Sequence, residues 1–364
     1  MTDIAVIGGG AWGTGLAIVL GRKGNHRVRL WAHEVDVCES IAQKRINERF
    51  LPGRPIPDSV TASNDLSKVL EGAHIIVSVM PSQHCRVLFE RMRPLIAPQT
   101  LIVSATKGLE EGSLLRMTEV IFQVLNRDPE GAPSSSPRFL RGQACPEPSR
   151  RGGDFDFSVG ALSGPSFAQE VARGDPTAIT IASQDAALLR TVQQEFSDAS
   201  FRIYTNTDVV GVELGGALKN IVAIAAGICD GLGLGHNSVA ALITRGLAEM
   251  TRLVVACGGR AETMAGLAGL GDLVLTCTGG LSRNRSVGVE LGRGKKLREI
   301  IAGMHGMVAE GVFTTTAAVG LAHARKVEMP ITEQMHAILY EGKSPREAIQ
   351  HLMSRTGKSE TSAG

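Results

Sequence analysis

The chain opens with the stretch Ile4-Ala5-Val6-Ile7-Gly8-Gly9-Gly10-Ala11-Trp12-Gly13, in which an apolar run leads directly into a G-x-G-x-x-G. An apolar segment with helical character continues to Lys23, so the glycines lie between a predicted strand and a predicted helix. Gly8 suits a tight turn, Gly10 lets a pyrophosphate approach the backbone, and Gly13 allows the helix to pack closely on the strand. Free N–H groups at the helix start attract phosphate. The opening therefore predicts a dinucleotide-binding unit.

Short apolar runs bounded by turn residues recur in the first half of the chain and alternate with segments of helical spacing. This alternation predicts an α/β domain built on a parallel, doubly wound sheet. Strand signals stop after residues 201–204, and the chain that follows has helical spacing. We therefore expect a dinucleotide-binding domain at 1–206, a helical domain at 207–355 and a disordered tail at 356–364. The predicted strands after the first one are 28–31, 74–80, 101–105, 158–162, 178–182 and 201–204.

One segment of the first domain lacks this pattern. Residues 127–156 are rich in Pro, Ser, Gly and Arg and contain no periodic apolar residues. A loop of this length inside a compact domain is usually either functional or disordered. Its arginines suit an acidic partner, but a solvated, flexible insertion is the simpler interpretation.

Composition narrows the functional classes. A formal net charge of +2 gives no reason to expect a nucleic-acid partner. The six cysteines are scattered without a C-x-x-C pair, which argues against a zinc site or a disulfide framework and favours a reducing cytoplasm. No apolar run reaches the roughly 18 residues of a membrane-spanning helix, and residues 221–229, the nearest, end at Asp230. A strand begins at once, so we expect no signal peptide.

Polar residues at predicted strand ends and in apolar helices are the candidates for chemistry. Lys107 and residues 163–166 (SGPS) follow two strands, at the edge where such folds bind ligands. Lys219 lies in an apolar helix, where a buried ammonium is paired or catalytic unless the side chain reaches the surface. Asp272 suits either a helix cap or a partner for Lys219. Residues 282–285 (SRNR) suit a phosphate, although a surface loop can have the same composition.

Together these segments resemble the bacterial NAD(P)-dependent glycerol-3-phosphate dehydrogenase family over nearly the whole chain. The resemblance implies a Rossmann-type N-terminal domain followed by an all-α substrate domain. It also implies that NAD(P)H reduces dihydroxyacetone phosphate to sn-glycerol 3-phosphate for phospholipid synthesis, in a cytoplasmic enzyme without an integral membrane segment. A homodimer is compatible with these features, although the sequence does not give the oligomeric state. The matching segments are residues 8–14, 104–110, 162–168, 213–220, 269–278, 282–285 and 308–311.

The resemblance also implies a role for individual residues. Lys219 is implied as the proton donor and acceptor, and no metal is implied. The implied substrate contacts are Lys107, Gly164, Ser166, Lys219, Asp272, Ser282, Arg283 and Asn284. The implied cofactor contacts are Gly8, Gly10, Ala11, Trp12, Gly13, His33, Phe50, Lys107, Ala168, Arg283, Val308 and Glu310.

Two questions stay open from the sequence. The second predicted strand leads into His33 and Glu34, where the resembled family often has arginine, and neither a clear carboxylate site for NAD nor a cation site for NADP is evident. Two other functions also fit part of the pattern. A dehydrogenase of the 3-hydroxyacid or 6-phosphogluconate type would not need the polar group at 282–285. A non-catalytic dinucleotide sensor would not need Lys219 in an apolar helix.

Overall fold

The computed structural model describes residues 1–126, 157–304 and 307–357. The predicted insertion at 127–156 and all but the first two residues of the predicted tail lie outside these ranges. The first part of the described chain forms an eight-stranded sheet with helices, and helices alone follow. The strands are β1 (Thr2–Ile7), β2 (His26–Trp31), β3 (Val60–Ser63), β4 (Ile75–Ser78), β5 (Leu101–Ser104), β6 (Val159–Ser163), β7 (Thr177–Ala182) and β8 (Phe201–Asn206).

The strands lie side by side in the order β3-β2-β1-β4-β5-β6-β7-β8. Every neighbouring pair is parallel except β6 and β7, which pair antiparallel. The prediction of a parallel sheet is therefore confirmed for every neighbouring pair from β3 across to β6 and for β7 with β8, and it is wrong for the pair β6–β7. A parallel neighbour needs a crossover that returns the chain to the opposite edge. The β6–β7 connection contains only the six-residue helix Ala168–Arg173, and β7 starts at the edge where β6 ends.

Helices cover both faces of the sheet, as the doubly wound prediction requires. Along β1, Ile4 and Val6 belong to one apolar core, whereas Ala5 and Ile7 belong to another on the opposite face. Burial on both faces explains why the strand is continuously apolar rather than alternating. The helices of this part are α1 (Ala11–Arg22), α2 (Val35–Lys44), α3 (Leu66–Leu70), α4 (Cys85–Met92), α5 (Met117–Leu125), α6 (Ala168–Arg173) and α7 (Ala186–Phe196).

After β8 the described chain contains helices and loops only, which confirms the predicted helical second half. β8 ends at Asn206 and α8 begins at Val209, while the division of the chain into folding units at 206/207 stays a prediction. The remaining helices pack around α8 in a third apolar core. They are α8 (Val209–Gly231), α9 (His236–Ala256), α10 (Ala261–Met264), α11 (Asp272–Thr278), α12 (Arg283–Gly292), α13 (Leu297–Ala302), α14 (Glu310–Arg325), α15 (Pro330–Tyr340) and α16 (Pro345–Met353).

Within the described ranges, α8 is the one single helix long and apolar enough to cross a membrane, and residues 261–278 with 283–292 pass the same test only as a pair bent by 48°. Of the apolar window in α8, 89% is buried inside the molecule. Burial among the other helices therefore accounts for the apolar composition of α8, because a helix that is hydrophobic on all sides lies in a core or in a membrane.

The backbones of helices α8 and α12 lie in close contact. A β-carbon on Gly227 would lie 2.0 Å from the carbonyl oxygen of Arg285, and one on Gly288 would lie 2.0 Å from that of Ile224. Gly231 and Gly292 extend the contact by one turn on each helix. This packing places the first turn of α12, which carries residues 283–285, beside the middle of α8.

Candidate active site

The glycine-rich turn after β1 has the geometry that its sequence predicts. Gly8 has φ of +134°, and a β-carbon on it would lie 2.5 Å from the carbonyl oxygen of Val79. A β-carbon on Gly13 would lie 1.9 Å from the carbonyl oxygen of Gly8, so α1 packs directly on the turn. Around Gly10, in contrast, no described atom apart from its chain neighbours and the backbone of its own helix lies within 4 Å of a placed β-carbon. The turn is therefore closed toward the protein and open at Gly10.

The open side of this turn fits the pyrophosphate of a dinucleotide. Gly10 is the N-cap of α1 and has no side chain to accept the first N–H groups, and the first turn of α1 contains no acidic residue. The buried indole Nε1 of Trp12 has no hydrogen-bond partner among the described residues. Exposed N–H groups at a helix start bind phosphate. In the same described part of the chain, no cluster of three or more His, Cys, Asp or Glu side chains could hold a metal ion.

Asn47 holds this turn and was not identified from the sequence. Its fully buried side-chain amide donates to the carbonyl oxygen of Gly9 at 2.8 Å and to the hydroxyl of Thr14 at 2.8 Å. Its amide oxygen accepts the backbone N–H of Phe50 at 3.1 Å. Asn47 therefore joins the glycine-rich turn to the segment that carries Phe50, one of the expected cofactor contacts. An isolated asparagine has no pattern that would reveal this role.

A second group of polar side chains meets where the sheet faces α8. Lys107 follows β5, and its Nζ donates to Asp272 Oδ2 at 2.6 Å and to the carbonyl oxygen of Gly164, after β6, at 3.2 Å. Lys219 Nζ donates to Asp272 Oδ1 and to Thr276 Oγ1, the latter at 2.6 Å. Asp272 is 1% exposed and Lys219 5%. Of the two sequence interpretations of Asp272, the structure supports the partner of Lys219.

The lysines in this group keep hydrogen-bonding capacity. An ammonium has three N–H donors, and Lys219 uses two, on Asp272 and Thr276. The Thr276 hydroxyl donates its own proton to the carbonyl oxygen of Asp272 at 2.6 Å, so toward Lys219 it acts as an acceptor. Lys107 also has two acceptors among the described residues. Each lysine thus has one donor for a ligand, and the group carries one carboxylate for two ammonium groups.

Lys219 is poised to exchange a proton near neutral pH. Burial lowers the pKa of Lys219 to about 7; the Asp272 carboxylate opposes this shift, and the Lys107 ammonium adds to it. An acid–base group works best when its pKa lies near the operating pH. The arrangement is therefore suited to proton transfer to and from an oxygen atom of a bound substrate.

Glycines allow this group to form. A β-carbon on Gly216 of α8 would lie 2.4 Å from Ser163 Oγ and 3.8 Å from Lys107 Cγ. A β-carbon on Gly215 would lie 2.7 Å from the carbonyl oxygen of Ala268. The segment Leu267–Gly271 that precedes Asp272 is π-helical, a feature that is frequent at functional sites. Small residues thus bring the ends of β5 and β6, α8 and α11 into contact.

The residues 282–285 do not act as one cluster. The Ser282 hydroxyl caps α12 by accepting the N–H of Arg285 at 3.2 Å. Asn284 donates to Asn220 Oδ1 at 2.9 Å and accepts the N–H of Gly311 at 2.9 Å. Arg285 forms an ion pair with Asp230. Among these four residues, only Arg283 has no hydrogen bond or ion pair with any other residue of 1–126, 157–304 and 307–357.

Arg283 is exposed at the start of α12, as expected for a residue that receives an anion. It also lines a cavity of about 350 Å³ between α12 and α13, together with Val287, Lys295 and Ile300. No direct contact joins Arg283 to the Lys219 group within the described chain. Of the predicted substrate contacts, the structure therefore brings Lys107, Gly164, Asp272 and Lys219 together, and places Ser282 and Asn284 in packing contacts of α12.

Glu310, at the start of α14, reaches the nucleotide-binding half of the molecule. Its carboxylate accepts the hydroxyl of Ser82 at 2.8 Å and the N–H of Ser82 at 3.3 Å. A β-carbon on Gly108 would lie 3.2 Å from Glu310 Oε2. Burial raises the pKa of Glu310 to about 7. Glu310 thus bridges the turn after β4 and the turn after β5, and Ser82 is a residue that the sequence did not single out.

The other expected contacts lie around the same edge of the sheet. His33 is exposed after β2, and Ala168 starts α6 with its backbone 3.4 Å from a β-carbon placed on Gly15. Ser166 Oγ donates to the carbonyl oxygen of Gly164 at 3.0 Å. Val308 lies two residues before Glu310, at the loop that leads into α14. Their roles as contacts stay predictions.

Sequence comparison identifies one family along both halves of the chain. Residues 3–136 and 153–189 match the family described as the NAD-dependent glycerol-3-phosphate dehydrogenase N-terminus. Residues 208–350 match the NAD-dependent glycerol-3-phosphate dehydrogenase C-terminus. The two matches lie in the order that the sheet and the helical part follow.

Individual relatives agree with this result over their full length. A protein of Koribacter versatilis named glycerol-3-phosphate dehydrogenase [NAD(P)+] is 63% identical over 99% of each chain. One of the same name from Acidobacterium capsulatum is 55% identical over 99% of this chain and 100% of its own. The crystal structure of a glycerol-3-phosphate dehydrogenase from Coxiella burnetii is similar with a TM-score of 0.86 and 42% identity, covering 97% of this chain and 99% of that one.

Proposed function

The chain belongs to the NAD-dependent glycerol-3-phosphate dehydrogenase family, and on that premise we propose that it reduces dihydroxyacetone phosphate to sn-glycerol 3-phosphate with Lys219 as the proton donor. It is an NAD(P)-dependent oxidoreductase. The observation that carries the proposed role of Lys219 is its buried ammonium, which is held by Asp272 and Thr276 and keeps one free donor. A product that feeds phospholipid synthesis and a cytoplasmic location belong to the same proposal.

The residues of the site have different proposed roles according to where they lie. The open turn at Gly10 and the first N–H groups of α1 hold the pyrophosphate of NAD(P)H, which supplies the hydride when bound. Lys219 and Lys107 direct their remaining donors to the substrate carbonyl oxygen and stabilise the negative charge that develops there. Lys219 then gives this oxygen a proton. Asp272 keeps both ammonium groups in place throughout.

The excess of positive charge favours an anionic substrate. Among the described residues, Asp272 is the one carboxylate that pairs with Lys107 and Lys219. Arg283 adds a guanidinium at the start of α12 that forms no hydrogen bond or ion pair with another described residue, and guanidinium groups bind phosphate through paired hydrogen bonds. Binding energy gained at a phosphate orients the reacting carbonyl group. We therefore assign the phosphate of the substrate to Arg283.

Oxidation of NADH and NADPH with dihydroxyacetone phosphate tests this function, with unphosphorylated dihydroxyacetone and a 3-keto acid as comparison substrates. We expect turnover with the phosphate ester and little with the other two. Replacing Arg283 by Ala should raise KM for dihydroxyacetone phosphate far more than KM for dihydroxyacetone, since only the ester offers this guanidinium a phosphate and a hydrogen bond to a charged group contributes about 1.5–3 kcal/mol. Equal losses with both substrates would make Arg283 structural. Cofactor binding without any turnover would instead support a sensor.

A further inference from the structure

The two lysines of the candidate site come from different parts of the fold. Lys107 lies outside any helix or strand, in the loop between β5 and α5 (residues 105–116), whereas Lys219 lies on α8. Both donate to Asp272. Catalytic groups must be held within about 0.5 Å of the productive geometry. The distance between the two ammonium groups therefore depends on how this loop is attached to α8.

Glu213 of α8 holds the end of the loop. Its Oε2 accepts Arg116 Nη1 at 2.7 Å and the hydroxyl of Thr118 at 2.6 Å, and its Oε1 accepts the N–H of Thr118 at 2.9 Å. Arg116 is the N-cap of α5 and Thr118 lies in the first turn of this helix, where free N–H groups and the helix dipole stabilise a carboxylate. The side chain of Glu213 is 6% exposed. The end of the loop is therefore fixed on α8 inside the protein.

A backbone bridge connects this attachment to the segment of Lys107. Leu109 and Arg116 form an isolated antiparallel bridge, and Leu109 is buried in the apolar core around α8. Between them, Leu114 has φ of +61°, a conformation that costs energy in a residue other than glycine and persists only where the surroundings enforce it. Leu109 follows Lys107 by two residues. The path from Glu213 to Lys107 is therefore short and consists of paired or buried groups.

Glu213 acts at a distance from the reacting atoms. It precedes Lys219 by six residues on α8, which corresponds to about 9 Å along the helix axis. A buried carboxylate with these contacts need not serve a site, because Glu249 caps α15 in the same way through the N–H groups of Ile331 and Thr332. The difference between the two carboxylates is the segment that each one holds.

We propose that Glu213 is a positioning residue for the reaction: by fixing the end of the loop on α8, it sets the distance between the ammonium groups of Lys107 and Lys219. This inference rests on the proposed function, because it deepens the roles assigned there to the two lysines. Loss of the Glu213 carboxylate releases the loop, and Lys107 then moves away from Asp272. The substrate oxygen loses one of its two donors, and Lys219 loses a neighbouring positive charge.

Steady-state kinetics of Glu213→Gln, made in the full chain, tests this proposal. The amide of glutamine cannot accept all three hydrogen bonds and carries no charge for Arg116. We expect kcat/KM for dihydroxyacetone phosphate to fall about 10–100-fold, since misplacement of a catalytic group by about 1 Å can cost 10²-fold. Binding of NADH, measured by calorimetry, should stay close to that of wild type and shows that the variant is folded.

The pH profile gives a second readout, which a loss of stability alone would not move. Burial lowers the pKa of Lys219; Asp272 opposes this shift, and the Lys107 ammonium adds to it. Cys277 nearby stays neutral, because burial raises the pKa of its thiol to about 12. Reduction needs the Lys219 ammonium, so withdrawal of Lys107 should move the decline in reduction to a pH about 0.5 or more above that of wild type.

A double variant tests whether Glu213 acts through Lys107. Lys107→Met removes the ammonium, and adding Glu213→Gln should then change kcat/KM by less than about two-fold, because two residues that act through one contact are not additive. Glu249→Gln is the matched control for loss of a buried cap and should keep the wild-type profile per folded molecule. Thr118→Val removes one donor to Glu213 and should produce the changes of Glu213→Gln at a smaller size.

Each result decides for or against the positioning role. Wild-type kcat/KM and pH profile in Glu213→Gln, independent effects in the double variant, or the same shift in Glu249→Gln would each overturn it. If Glu213→Gln does not fold, an unchanged pH profile in Thr118→Val overturns it. All of these results leave the dehydrogenase assignment intact. Absence of turnover in wild type with dihydroxyacetone phosphate would instead overturn the proposed function together with this role.

Discussion

Two buried ionic groups in the helical half of the chain differ in how far their hydrogen-bonding atoms are occupied. Glu249 accepts the N–H of Ile331 at 2.9 Å and both the N–H and the hydroxyl of Thr332 at 2.8 Å, and so caps α15. Lys219 is buried to a similar degree but keeps a donor without a partner in the described residues. Burial of a charge therefore does not by itself mark a catalytic site. The donor of Lys219 that has no partner among the described residues is the feature on which its proposed catalytic role rests.

Replacing Lys219 by a residue that cannot donate a proton should have the largest effect on turnover. Lys219→Met keeps side-chain length and apolar packing, so we expect the variant to fold and bind the dinucleotide. Turnover with dihydroxyacetone phosphate should fall about 10²–10⁴-fold, the usual contribution of a general acid. Lys219→Arg should restore little, because guanidinium hardly releases its proton. Steady-state kinetics, with calorimetric binding as the folding control, measures this. Near-normal turnover in Lys219→Met would exclude the proposed mechanism.

The pH dependence of the two reaction directions should be opposite. Burial lowers the pKa of Lys219 to about 7, so the ammonium needed for reduction is lost above that pH and the neutral amine needed for oxidation is gained. We expect kcat for reduction to fall about ten-fold per pH unit above this value, and kcat for oxidation to fall in the same way below it. Both rates are measured between pH 5 and 10.

Glu310 provides the control for that profile, because burial raises the pKa of its carboxyl group to about 7 as well. Glu310→Gln should leave both limbs of the profile in place. Asp272→Asn removes the carboxylate that opposes the lowering of the Lys219 pKa, so the decline in reduction should begin at lower pH. If Glu310→Gln abolishes the pH dependence, the titrating group is Glu310 and not Lys219.

Removing the second acceptor of Lys219, the hydroxyl of Thr276, should have a smaller effect on turnover. Thr276→Val keeps the shape of the side chain but removes the oxygen that lies 2.6 Å from Lys219 Nζ. The ammonium then has Asp272 alone to fix its direction, and we expect kcat to fall about ten-fold with KM little changed, as for one hydrogen bond to a charged group. Thr278→Val on the exposed side of the same helix is the matched control. A loss of stability without a change in kcat would show that Thr276 only packs.

Replacing the capping carboxylate of Glu249 should lower the free energy of unfolding and leave turnover unchanged. Glu249→Gln replaces an acceptor by an amide that cannot serve both N–H groups of α15, and we expect a loss of about 2 kcal/mol in the free energy of unfolding. Turnover per folded molecule should not change. Urea unfolding and kcat at saturating substrate measure the two effects. An activity loss that exceeds the loss of folded protein would contradict the distinction drawn between the two groups.

Sequence alone predicted the parts of the molecule in which one local pattern decides the structure. The glycine motif gave the turn at Gly8–Gly13, and the change from strand to helical spacing located the end of the sheet within two residues of Asn206. The strand β3 was missed because Val60–Ser63 (VTAS) has no continuous apolar run, whereas the equally short β4 (IIVS) and β5 (LIVS) begin with three large apolar residues and were predicted. The reversed direction of β7 was also missed, since strand direction depends on the path of the connection.

The candidate site was predictable only in part for a similar reason. Lys219 stood out as a charge in an apolar helix, but its partners Asp272 and Thr276 lie more than 50 residues away along the chain. Asn47, Ser82 and Thr276 have ordinary sequence surroundings, and only the folded chain shows their contacts. The sequence likewise did not show that Ser282 caps α12 or that Asn284 joins α12 to Asn220 of α8, and the roles of both residues as substrate contacts stay predictions.

The backbone contact between α8 and α12 also limits which substitutions evolution can accept in these two helices. At Gly227 and Gly288 even the smallest side chain would place a carbon 2.0 Å from a carbonyl oxygen of the other helix, so neither position tolerates a single substitution unless the helices separate. Separation would draw the first turn of α12 away from Lys219. Gly227 and Gly288 are therefore positions at which an inherited substitution has to be accompanied by a compensating change in the partner helix.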